Sequence, residues 1–188
     1  MISARLVLAV ASLLFISDAA PAPTATVSCE DSEDDLCTHI SAAHSGNVAA
    51  MLLLTGDLDG TASAELSEVN GLLLKLLNEN TTLESLFEVL KQALEKELSA
   101  LATLNTACPT TENSVRCAIS CDDVKFAAKE IMLAIMEAET NDDKKKEIQA
   151  MVEKLPVSQT KGTDTCDRDS YVHSKGKLVL DSIKKNRT

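Results

Sequence analysis

Between Asn80 and Cys108 the apolar residues Leu83, Leu86, Phe87, Leu90, Leu94, Leu98, Leu101 and Leu104 recur at steps of one, three and four. That spacing sets them along one side of an α-helix. Glu84, Glu88, Lys91, Glu95 and Lys96 fall largely on the other side. Thr81 and Glu84 have capping-box form, in which each side chain satisfies a free amide of the other at the helix start. Cys108-Pro109 closes the segment, because proline cannot continue the hydrogen-bond ladder. A leucine-rich face of about six turns is not stable in water, so the other segments must cover it.

The same periodicity predicts the remaining elements. A first helix spans about Asp34 to Leu54, with Leu36, Ile40, Ala43, Asn47, Met51 and Leu54 sharing a face and Gly46 a candidate break. Thr55 to Gly60 forms a turn. A second helix runs from about Thr61 to Asn78 on Leu66, Val69, Leu73, Leu76 and Leu77. Leu72 and Leu74 widen that face, which predicts burial on more than one side. The polar stretch from Ala107 to Ser120 is expected to be a disulfide hub. A fourth helix follows from about Cys121 to Glu139, started by Ser120 with Asp123 in capping form. Its unbroken apolar run from Ile131 to Met136 predicts deep burial. Acids after the corner at Thr140-Asn141 suit the start of a fifth helix, which carries Ile148, Met151, Val152 and Leu155 and ends at Pro156. Tyr171 to Lys184 is expected to be a final helix, although Val179-Leu180 also suits extended chain. The chain is therefore expected to be all-α: a disulfide-stapled bundle of five to six helices in a single domain over 34–188.

An extended acidic arm, 20–33, is expected to precede that domain. Residues 1–19 have the form of a secretory signal: Arg5, then apolar Leu6 to Ile16, then small-x-small at Ser17-Asp18-Ala19. The apolar run is short for a bilayer span, and no later segment reaches that length, so the mature chain is expected to be extracellular with no membrane insertion. All six cysteines, Cys29, Cys37, Cys108, Cys117, Cys121 and Cys166, lie in the mature part and are disulfide candidates, their connectivity open. No C-x-x-C pair favours zinc. The acidic run between Cys29 and Cys37 is expected to be a solvated loop closed by that pair. Asn80-Thr81-Thr82 is a glycosylation sequon in a polar turn, and Asn186 heads a second at the chain's end. A net charge of −11 disfavours nucleic acid and anionic membranes as partners.

Chemistry is not indicated. His39 and His44 stand five apart, unlike the i, i+4 ligands of a helical metal site, and neither they nor His173 lies in an HExxH context. There is no G-x-S-x-G, P-loop or G-x-G-x-x-G motif. Asp57, Asp59 and Gly60 echo a calcium loop, but that register puts Thr55 and Leu66 where Asp and Glu are required. No catalytic, cofactor-binding or metal-ligating residue is expected, and the chain is not expected to be an enzyme.

Cys29-Glu-Asp-Ser-Glu-Asp-Asp-Leu-Cys37-Thr, followed by Ser41-Ala42-Ala43-His44, resembles the first helix of the alpha subunits of heterodimeric interleukins, the group that includes interleukin-twelve and interleukin-twenty-three. The resemblance implies a secreted helical cytokine acting through a cell-surface receptor, with a second secreted subunit as a further partner. It transfers no specific binding residue. Short links between helices two and three and between four and five favour antiparallel neighbours, whereas cytokine bundles run up-up-down-down through long crossovers. Two alternatives stand beside it: a carrier enclosing a small hydrophobic ligand in a Leu/Met-lined cavity, and a structural or effector protein of a secretory fluid. A long overhand link between parallel neighbours would favour the cytokine, and a closed shell of hairpins around a cavity the carrier.

Overall fold

The apolar periodicity folds into six helices: α1 (Asp35–Leu54), α2 (Gly60–Asn78), α3 (Leu83–Ala107), α4 (Ser114–Ala138), α5 (Asp142–Val152) and α6 (Ser170–Lys184). A computed structural model describes residues 26–30, 32–54, 60–107, 114–153, 155 and 170–184. The signal segment, the turn at 55–59, Cys108, Cys166 and Asn186 lie outside these residues. The fold is all-α. Two short strands, β1 (Thr26–Val27) and β2 (Thr81–Thr82), make one antiparallel pairing with Thr26 opposite Thr82.

The four long helices touch in a ring. α1 lies against α2 and α4, and α3 lies against the same two, so α1 and α3 face each other across the middle. Side-chain contacts give the directions. His39 meets Glu130 towards the start of α1, and Ala50 accepts from Ser120 towards its end, so α1 and α4 are antiparallel. Lys96 pairs with Glu68 and Ser99 with Glu65, which makes α2 and α3 antiparallel. Asn70 meets Met51, and Leu77 lies beside Ser41 and Ala42, so α1 and α2 are antiparallel as well. Consecutive long helices thus alternate in direction. α5 covers α4, and α6 packs on α3, α4 and α5.

The core is where the sequence pattern puts it. Leu86, Leu90, Leu94, Leu101 and Leu104 of α3 are buried against Ile40, Leu66, Leu73 and Leu76 and against Ile131, Met132 and Ile135 of α4. At about 25 cal/mol per Å² of apolar surface removed from water, these side chains supply the main drive for the helices to associate.

Four local expectations need correction. α1 runs unbroken through Gly46, because the glycine is buried at the α1–α4 seam, where a side chain would meet Phe126. α4 starts at Ser114 rather than Cys121, so Ser120 is no cap: it is buried inside the helix, and its hydroxyl donates to the Ala50 carbonyl. The start of α3 is capped by Thr82, whose hydroxyl accepts from the Ser85 amide, while Thr81 donates to the Glu79 carbonyl. Leu74 is exposed, because α2 buries only its Ala62, Leu66, Val69, Leu73 and Leu76 stripe. Beyond these, β1 of the arm pairs with β2 at the entry to α3.

Candidate functional site

Asn47 on α1 and Glu97 on α3 are polar residues inside the ring, each at 0% exposure. The Asn47 amide donates from Nδ2 to Glu97 Oε2 at 2.9 Å. Glu97 Oε1 and Asn47 Oδ1 are buried without a protein partner. Glu97 is placed by the same spacing as the core leucines: Leu90, Leu94, Leu101 and Leu104 stand on its face at steps of three and four, all at 0% exposure. Burial pushes its carboxyl up to about 8, against a smaller lowering from the Asn47 hydrogen bond. A carboxyl in that range is largely neutral at pH 7 and is able to donate a hydrogen bond. Neither group opens to solvent.

Two open surface grooves flank the ring. One, of about 470 Å³, lies between α3 and α6, with Leu98, Ala102 and Leu180 among its lining and His173, Lys177 and Asp181 beside them. Glu95 and Lys184 pair across it at 3.2 Å. Burial, and then the Lys177 charge, lowers the His173 pKa below its ordinary value. The other, of about 440 Å³, is lined by Cys29, Cys37, Thr38, Ser41, Ser45 and Leu77. Outside the grooves, Leu52 is 70% exposed and Val48 38%, one turn apart on α1, and Ile119 of α4 is 41% exposed.

The expected site residues fall as follows. Cys29 and Cys37 form a disulfide with Cα atoms 5.3 Å apart. Cys121 is buried and also disulfide-bonded, and no described cysteine is free. Asn80 is exposed between α2 and β2. His39 bonds Glu130 at 2.7 Å on the α1–α4 seam, far in sequence from His173 in the α3–α6 groove. No group of three or more His, Cys, Asp or Glu among the described residues is placed to hold a metal ion. No described helix is long and apolar enough to cross a membrane. The sequence pattern had already put Asn47 on the buried face of the first helix; its partner Glu97 was missed. The signal for Glu97 was its heptad-like position between Leu94 and Leu101.

Comparison with protein-family models, with curated proteins and with solved structures returns no match.

Proposed function

We propose that this chain is a secreted, disulfide-stapled helical bundle that signals in the manner of a cytokine, docking helix faces on a cell-surface receptor. The observation that carries the proposal is the contrast between inside and outside. The interior is filled by Leu, Ala, Ile and Met at or near 0% exposure, while Val48 and Leu52 stand exposed one turn apart on α1. Exposed apolar side chains gathered at one place on a soluble surface mark a candidate contact with another protein. The disulfides fit an oxidising, extracellular setting, and exposed Asn80 is a candidate carrier of an N-glycan there. The alternating helix directions differ from the up-up-down-down course of cytokine bundles, so the proposal rests on recognition by helix faces and not on that topology.

The α3–α6 groove favours a second reading, a carrier that holds a small hydrophobic ligand over Leu98, Ala102 and Leu180. One experiment separates the two. Labelled mature protein is presented to an array of receptor ectodomains and, in parallel, to lipid extracts. Signalling predicts saturable binding to a protein target, weakened about tenfold or more by Val48→Asp with Leu52→Asp while helix content is kept. Binding to lipids alone, untouched by that pair of substitutions, would replace the first reading with the second.

A further inference from the structure

Two buried oxygens inside the helix ring have no donor among the described residues: Asn47 Oδ1 and Glu97 Oε1. With Glu97 ionised both are acceptors, and a fully buried acceptor without a donor costs about 1–3 kcal/mol, more if charged. With Glu97 protonated on Oε1 the deficit has one remedy internal to the pair. The acid O–H becomes a donor, and the Asn47 carbonyl is the acceptor left over. We propose that Glu97 and Asn47 form a proton-operated latch, in which the neutral acid and the amide exchange two hydrogen bonds between α3 and α1, and loss of the proton releases it.

The placement gives the latch its leverage. α1 and α3 are not adjacent in the ring and meet only across its core, so this pair adds a polar link between helices on opposite sides. Among the described residues no charge acts on Glu97, and the charged groups of the helices round it are engaged elsewhere. Glu65 and Glu68 of α2 are taken by Ser99 and Lys96, Lys125 of α4 by Asp122, and Lys184 of α6 by Glu95. On α1, His39 is held by Glu130. Only burial and Asn47 shift the Glu97 carboxyl, in opposite directions, with no charged group contributing.

The sign follows from proton counting. The native state keeps a proton that the unfolded chain gives up above its ordinary value of 4.5 and retains it to about 8. Stability from this group is therefore complete below 4.5, declines as pH rises through the interval, and levels off above about 8. Two other groups shift in the fold. Asp123 is raised by burial and by Asp122, which gives it the same sign from a lower starting value. His173 is lowered, so its contribution grows with pH and is complete above its ordinary value of 6.5.

The test compares the mature protein with Glu97→Gln by denaturant unfolding between about pH 6.5 and about pH 9. Glutamine reproduces the neutral acid: its amide nitrogen donates where the acid O–H did, and its oxygen accepts from Asn47 Nδ2. The expected result is that the wild-type unfolding constant, relative to the variant, rises about tenfold per pH unit and flattens near 8. Parallel curves would overturn the latch. Should the variant not fold, carboxyl-labelled NMR of the wild type decides. A Glu97 carbon titrating near 8 supports the proposal, and one titrating with the surface carboxylates overturns it.

Discussion

A hydrogen in place of a side chain at Gly46 is what lets α1 come close to α4. A β-carbon there would stand 3.0 Å from Phe126 Cδ1, 3.2 Å from the Asp123 carbonyl oxygen and 3.4 Å from Ala127 Cβ. Phe126 belongs to a packed seam, and the carbonyl is helix backbone, so neither yields easily. Gly46→Val should cost about 1–3 kcal/mol and lower the melting temperature. Gly46→Ala, which recovers about 1 kcal/mol of helix propensity, should cost less. Equal melting of wild type and the valine variant would show that the seam has slack. Gly46 was judged by its type, as a candidate helix break, and Glu97 was passed over, when for both the position within the apolar stripe was the better guide. Asn47 shows the converse: its position on the Ile40–Ala43–Met51 face was legible, but its hydrogen-bond partner on another helix was not.

Helix interiors were read well from periodicity, and helix ends less well. α3 buries nearly all of its apolar stripe, and Ile131 and Ile135 of α4 are fully buried, as their spacing predicts. The start of α4 was not legible. A polar stretch with cysteines resembles a loop, and the Ser120 hydroxyl finds its acceptor, the Ala50 carbonyl, only once α1 and α4 are packed. The start of α5 was legible because its cap is local. Asn141 has extended backbone, and its Oδ1 accepts from the amides of Asp143 and Lys144, both at 3.1 Å. Asp142 and Asp143 in the first turn add a favourable interaction with the helix dipole. Asn141→Ala should therefore destabilise the protein by about 1 kcal/mol. Hydrogen exchange should show the loss at the α5 amides before it appears elsewhere, and a uniform change across all helices would contradict a local cap.

Over the whole molecule the short link between the second and third helices implied antiparallel neighbours, and the contacts of α2 with α3 bear that out. Of the amino-terminal arm's attachments the Cys29–Cys37 bond was legible, whereas the β1–β2 pairing was not, because two-residue strands carry no periodic signal. The arm is attached twice. β1 pairs with β2, just ahead of α3, and Cys29 is bonded to Cys37 in the first turn of α1. The disulfide thus connects the start of α1, through three or so residues of arm, to the entry of α3. Replacing Cys29 and Cys37 by serine frees a closed loop with a sequence separation of 8. For so short a loop the loss should be about 2–3 kcal/mol, most of it through added freedom of the unfolded chain. The double variant should keep its helix content by circular dichroism, melt at a lower temperature, and lose amide protection at Thr26, Val27, Thr81 and Thr82. An unchanged melt would mean that the β1–β2 pairing and the packing of α1 suffice without the bond, and that the staple adds nothing to the fold.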